Sequence, residues 1–481
     1  MTSKYPSYLV WLLLLFTPVT INAQVGFSPF RRDFPPEEFA ARRAKVFEAI
    51  GPSSIALIQG APSPPGYTRF RQWNDFYYLC GIELPHAYLL LNGSTKRTTL
   101  YLPHRNADRE RGEGKLLSAE DADEVKKLSG VDEVYGIDIL AEHLARTARG
   151  INLRTLFTFF SPAEGTAMSR DLALRVIGDY AADPFDGRSS REGDFIQLIR
   201  SKFPEFTILD LTPIVDQLRL IKSAREITML EKATRLSGLA LMEGMRSTVP
   251  NIYEYELDAV AKFVFYRGGA QGDAYYSLIA SGQNAFWPHY NAGQRKMLDG
   301  DFLLMDYAPD VGYYMSDVTR MWPVNGKFSP WQRELYGFYL ACYQSILKHI
   351  RPGITAQVIK QEAVRDMETA LSASRFSKPE YERAAREFVA NYKQSAANPR
   401  TSLGHWVGMA THDDGVDYGP LRAGMVFTIE PALVVPEERI YVRLEDMIVI
   451  TDKGARIISD FVPMDIDGIE KLMREEGILQ K

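Results

Sequence analysis

Residues 303–322, LLMDYAPDVGYYMSDVTRMW, place two aspartates, Asp306 and Asp317, inside a strongly apolar and aromatic stretch. A fold that buries Leu303, Met305, Met315 and Trp322 must also deal with both carboxylates. Read as a hairpin with Val311 and Gly312 as a two-residue turn, the segment sets Asp306 directly opposite Asp317. Opposed side chains in such a ladder have Cβ atoms roughly 5 Å apart, and like charges there repel. Something positive must lie between them. A shared proton would serve, as in an acid dyad; a metal cation is the commoner solution when further ligands exist. Two solvent-exposed hairpin aspartates are the plain alternative.

Further ligand types do exist downstream. SLGHWVGMATHDDG carries His405 and His412 around Gly408, MVFTIEPALVV carries Glu430 before a proline that would spoil a central strand, and YVRLEDMIVIT carries Arg443 and Glu445 on one face of a strand. Singly, each is more often structural. Together with the two aspartates they bring five potential ligands into three β-rich segments of one region.

At 481 residues the chain is too long for one ordinary core and implies two domains. The first, from Phe39 to about Asp210, mixes β-rich runs (SIALIQG, AYLLLN, TTLYLP, TLFTFF) with helical stretches such as 118–129, an α/β pattern. GAPSPPGY at 60–67 is a loop within it. A helical segment around 211–222 leads into helices at 224–247 and 253–267 and β-rich runs at 275–281, 301–308 and 313–321. The order then recurs, with helices at 330–349, 355–372 and 378–394 and β-rich runs at 425–434 and 440–450. Two helices-then-strands blocks predict an α+β domain, an antiparallel sheet covered by helices. The resulting division is 27–215 and 216–475.

The N-terminus reads as a signal peptide over 1–23: Lys4, then the apolar run YLVWLLLLF, Pro18 and a small-residue cleavage site at Ala23. Its apolar core is shorter than the ~20 residues a bilayer span needs. A secreted or periplasmic protein with no stable membrane anchor after cleavage follows as the expectation. Cys80 and Cys342 lie in apolar settings in different halves of the chain and read as buried free thiols. A net charge of −5 without any Lys/Arg-rich run speaks against nucleic acid as a partner.

Asp306, Asp317, His405, Glu430 and Glu445, in this order and within MDYAPDVGYYMSDVTRMWPV, GHWVGMATHD, GMVFTIEP and VRLED, resemble the five-ligand dinuclear centre of the pita-bread metallopeptidases. ARRAKVFEAI and RQWNDFYYLCGIELPHAYLLL are similar to the N-terminal domain of aminopeptidase P, and the resemblance runs roughly from residue 36 to 473. It implies that Asp317 and Glu445 bridge two divalent metal ions, that Asp306 holds one, and that His405 and Glu430 hold the other, with Glu430 also the general base. Oxygen-rich ligation with one imidazole suits Mn(II) and admits Co(II) or Zn(II). A hydroxide bridging the metals would then hydrolyse an amide. His289, in SGQNAFWPHYNAG, and His412 match histidines near the substrate, and Arg443 matches a residue that pins a ligand carboxylate.

The implied activity is release of the N-terminal residue from peptides with proline second. A prolidase acting on Xaa-Pro dipeptides is the nearest alternative, and a catalytically silent peptide-binding relative is another. Methionyl aminopeptidases and creatinase-like hydrolases fit less well, the first for lacking the large N-terminal domain and the second for lacking the metal set. The resemblance also implies a homodimer or higher assembly, with RQWNDFYYL at 71–79 as the expected contact. Departures surround the substrate side. Thr401 stands where a histidine is common, Asp413, Asp414 and Asp417 stand where the family often has an arginine, and EPA replaces EPG after Glu430.

Overall fold

The computed structural model describes residues 30, 33–150 and 153–480. The expected signal peptide at 1–23 lies outside the described residues, among which no helix is long and apolar enough to cross a membrane.

The N-terminal domain is built on a six-stranded mixed sheet whose central strands are Tyr88–Asn92, Ser54–Gln59 and Thr155–Thr158. In Ser54–Gln59 successive side chains alternate between two cores: Ala56 and Ile58 join the core shared with the second domain, while Ile55 and Leu57 pack with Leu144, Phe195 and Ile199 on the other face. Both faces are therefore covered by helices, which is why the strand reads as an unbroken apolar run. The four β-rich runs expected from the sequence are all strands. Two further strands, Glu133–Gly136 and Thr207–Asp210, carry no such signal because they are the short, half-exposed edges of the sheet. Arg43, buried on the helix Pro36–Ile50, donates to the carbonyls of Leu79, Ser129 and Gly130, closing the ends of two neighbouring helices.

The helix Thr212–Leu220 leads into the second domain. There the expected order of elements recurs. The helices Ala224–Ser247 and Glu254–Arg267 precede a three-stranded antiparallel sheet of Leu278–Ser281, Phe302–Asp306 and Thr319–Pro323. The helices Pro330–His349, Ala356–Ala373 and Pro379–Ala397 precede a second such sheet, of Val426–Ile429, Asp446–Thr451 and Gly454–Ile457. In place of one continuous sheet, the two halves meet where Thr319 and Glu445 exchange backbone hydrogen bonds of 3.3 and 3.1 Å.

Two local expectations are corrected. The first concerns the hairpin register. Its turn is Gly312-Tyr313, both at positive φ (60° and 75°), flanked by a Val311–Tyr314 bridge. Two successive left-handed residues match the twist of a tight hairpin, and glycine takes the first without strain. Tyr313 is held in the second by stacking on Tyr77 (ring centroids 3.6 Å apart) and by hydrogen bonds of its hydroxyl with Glu83 and the Gln72 N–H. Asp306 consequently pairs with Thr319, and Asp317 lies just before the strand rather than opposite Asp306.

The second correction concerns the runs 425–434 and 440–450, each of which breaks at a glutamate. Val426–Ile429 ends before Glu430-Pro431, and Ile440–Arg443 ends before Leu444-Glu445. Pro431 cannot donate to a ladder. The Tyr339 hydroxyl fills the gap, donating to the Pro431 carbonyl at 2.6 Å and accepting from the Leu444 N–H at 2.8 Å. Residues 71–79, where a subunit contact is expected, also make contacts inside the chain: Phe76, Tyr77, Tyr78 and Leu79 are core, Arg71 pairs with Asp310 at 2.6 Å, and Asn74 donates to the Met409 carbonyl. Cys80 and Cys342 are buried free thiols, as expected.

Candidate metal centre

Asp306 ends its strand at the middle of the first sheet, and Glu445 sits in the break that joins the two sheets. His405 is brought alongside by a loop running close to Val426–Ile429, with the Thr428 N–H donating to the His405 carbonyl at 2.9 Å. The approach is so close that a Cβ on Gly404 would lie 2.1 Å from the Thr428 carbonyl oxygen, which explains a glycine before the histidine. His405 Nδ1 lies 3.2 Å from the Trp406 carbonyl, an arrangement that keeps the proton on Nδ1 and turns the Nε2 lone pair toward the acids.

Nε2 lies 3.2 Å from Glu430 Oε1, 3.4 Å from Asp317 Oδ2 and 3.7 Å from Glu445 Oε1. Ligand atoms of Asp317, His405 and Glu445 all lie within 4.8 Å of one another. Arg443 ties in the other two acids, donating to Glu430 Oε2 at 3.1 Å and pairing with Asp306. The structure thus brings together all five residues singled out in the sequence.

Two observations show that this group fits a cation. The Tyr275 hydroxyl lies 2.5 Å from Asp306 Oδ1 and 2.7 Å from Asp317 Oδ1, yet a phenol has one proton to give to two carboxylates. Glu445 Oε1 is buried and has no hydrogen bond among the described residues. Burial, then the charges of Glu445 and Asp306, hold the Asp317 carboxyl well above the usual range. Burial likewise raises Asp306 despite Arg443 beside it. Burial alone would lower His405, but the closeness of Asp317, Glu430 and Glu445 outweighs that and raises it. Burial opposes ionisation of Glu430 too, and there the contacts with His405 and Arg443 win and hold it below the ordinary value. Carboxyls pushed up by burial beside an imidazole pushed up by its carboxylate neighbours are the mark of a site short of positive charge.

Tyr275 gave no sequence signal, being one of two tyrosines in DAYYS; only the fold aims it at the aspartates. Thr319 is similar, its hydroxyl donating to Glu445 Oε2 at 2.8 Å. His412 is half-exposed, its ring centroid 4.4 Å from that of His405 and its Nδ1 3.0 Å from Asp171 of the N-terminal domain. His289 is exposed on the loop after Gly282–Phe286 and shares none of these contacts.

The aspartates after His412 belong to a second buried acid cluster at the domain junction. Arg219 reaches Asp75, Glu164 and Asp413 at 2.8, 2.7 and 2.5 Å, and Arg170 reaches Asp216, Asp414 and Glu164 at 2.7, 3.0 and 3.2 Å. Lys222 adds a contact to Asp413 at 2.9 Å. Asp413 and Asp414 thereby fasten the His412 loop to the N-terminal domain, while Asp417 pairs with Arg422.

Residues 228–452 match metallopeptidase family M24, and residues 39–157 match the aminopeptidase P N-terminal domain. The Xaa-Pro aminopeptidase of Escherichia coli is 31% identical over 91% of this chain and 97% of its own, and that of Haemophilus influenzae is 30% identical over the same shares. The structure of E. coli aminopeptidase P with the inhibitor Pro-Leu superposes with a TM-score of 0.72 at 29% identity, covering 92% of this chain and 98% of that one.

Proposed function

This chain belongs to metallopeptidase family M24, in the branch that carries an aminopeptidase P N-terminal domain, and on that premise we propose that it is an exported metallo-aminopeptidase removing the N-terminal residue from peptides with proline at the second position. The observation that carries the reading is the convergence of Asp317, His405 and Glu445, with Asp306 and Glu430 tied to them through Arg443.

Two divalent cations held by Asp306, Asp317, His405, Glu430 and Glu445, Mn(II) by the balance of oxygen and nitrogen donors, would offset the carboxylate charge, acidify a water molecule and polarise the scissile carbonyl. The chain's own groups then carry the protons. Glu430, kept ionised by His405 and Arg443, accepts the proton of the attacking water and delivers it to the departing proline nitrogen. Arg443 fixes Glu430 and Asp306 relative to one another. His412, oriented through Nδ1 by Asp171, presents Nε2 to the substrate, and exposed His289 approaches the substrate from the loop after Gly282–Phe286.

Export follows from the N-terminal segment, and protein recovered outside the cytoplasm should begin at Gln24. A homodimer or larger assembly is the corresponding expectation for quaternary structure, read by light scattering. The activity is tested by supplying Mn(II)-loaded mature protein with Ala-Pro and Ala-Pro-Ala and identifying products by mass spectrometry. Free alanine from the tripeptide is the expected result. Cleavage of the dipeptide alone would instead make the protein a prolidase, and no cleavage of either would overturn the proline specificity.

A further inference from the structure

A cavity of about 250 Å³ borders Glu430 of the metal centre, between the helices Ala356–Ala373 and Pro379–Ala397 and the segment Glu430-Pro431-Ala432. At its wall stands Lys360, 7% exposed. Its ammonium donates to the hydroxyls of Ser395 (2.8 Å) and Thr401 (2.9 Å) and lies 5.0 Å from the centroid of the Tyr392 ring. All three partners are neutral. No carboxylate lies within ion-pair distance of Lys360 among the described residues, whereas Arg219 and Arg320, also deeply buried, each have one.

An ammonium has three donors, and two are used here. The ring of Tyr392, which the ammonium faces, also lines this cavity, and its hydroxyl is buried. A cationic donor with one N–H to spare thus stands beside a space large enough for several atoms. Burial without a counter-charge lowers the Lys360 ammonium to about 8. A lysine whose only task was to join two helices could have been a neutral residue without that penalty. Thr401, which replaces the histidine expected at this position, is short enough for Lys360 to reach it.

We propose that this cavity is a subsite for a carboxylate of the peptide substrate, bound by the Lys360 ammonium. A carboxylate is acceptor-only and matches the ammonium both in charge and as a partner for its free N–H. Glu430 lines the same space, so a group bound there is held next to the reacting bond. The inference rests on the peptidase reading and deepens it. It assigns the enzyme to acidic or very short peptides, because the carboxylate can come from an acidic side chain or from the C-terminus.

The test compares kcat/KM for three peptides on the full metal-loaded protein: Ala-Pro-Gln amide, which is neutral, Ala-Pro-Glu amide, which has a side-chain carboxylate, and Ala-Pro-Gln, which has a terminal one. At least one acid is expected to exceed the neutral peptide by roughly 10-fold or more, a charge-assisted bond's worth of discrimination. The favoured acid identifies the source of the carboxylate. In Lys360→Met the acid-to-neutral ratio should fall to about 1, in Lys360→Arg it should partly return, and in Tyr392→Phe, which keeps the ring against the ammonium, it should be retained. A wild-type ratio near 1, or one that survives Lys360→Met in protein of unchanged melting temperature, overturns the subsite. Should none of the three be cut, the peptidase reading fails separately. Calorimetric binding of Ala-Pro-Glu amide against Ala-Pro-Gln amide, by wild type and Lys360→Met, would then decide the subsite by the same ratio.

Discussion

The metal centre and the domain junction are both buried clusters of acids, built from the same residue types, and they differ in who supplies the positive charge. At the junction, Asp75, Glu164, Asp216, Asp413 and Asp414 each face a guanidinium of Arg170 or Arg219. Where charge still runs short, a proton fills in: burial, then the bond with Glu164, raises Asp414 to about 10, while its arginine contacts hold Glu164 at about 2 despite burial. At the metal centre Arg443 serves only one edge, and Asp317 has His405 and a shared phenol but no guanidinium. The chain neutralises the first cluster itself and leaves the second to be neutralised from outside. Buried acids alone therefore do not mark a metal site; buried acids that the protein has declined to pair do.

Substitutions should separate the two clusters. Asp317→Ala or Glu445→Ala is expected to reduce turnover by ~10³-fold or more and to lower the bound metal measured by plasma mass spectrometry, with a melting temperature near that of metal-free wild type. Retained turnover in either would break the comparison. Arg219→Met should do the reverse, costing on the order of 3–5 kcal/mol because it strands buried carboxylates. The readout is a clearly lower melting temperature in protein that still binds metal.

Tyr275→Phe tests the boundary between structure and chemistry. It removes the donor shared by Asp306 and Asp317, so metal affinity should fall roughly 10–100-fold with little change in melting. Unchanged affinity would mean that the phenol merely fills space.

The smallest effect is a pH slope. Asp414 keeps its proton in the fold up to about 10, whereas in the unfolded chain it loses it near 3.8. A raised acid stabilises fully below the unfolded value and progressively less as pH rises toward the folded one. The melting temperature should therefore decline between pH 4 and 10 more steeply in wild type than in Asp414→Asn, whose amide does not titrate. Equal slopes would place the shared proton elsewhere in the junction.

The helices Ala224–Ser247 and Pro330–His349 were legible to the residue because their signals are local: the boxes Ser223/Glu226 and Ser329/Gln332 start them. The four inner strands of the N-terminal domain were equally legible from apolar runs. The hairpin at 303–322 was misread by one turn residue, because a tyrosine at positive φ is stable only when Tyr77, Gln72 and Glu83 hold it from another domain. The strand breaks at Glu430 and Leu444 were hidden for the same reason, since a hydroxyl from Tyr339 closes them.

By itself, then, the sequence determined the α/β and α+β order of the domains and the five residues that converge, because periodicity, capping and motif spacing are written over a few neighbouring positions. Only the tertiary structure decided which carboxylates would be paired and which left open, and that Tyr275 faces the aspartates and Lys360 faces a cavity. Those outcomes depend on groups far apart in the chain meeting in a space that excludes water, where a single missing counter-charge determines what the site can hold.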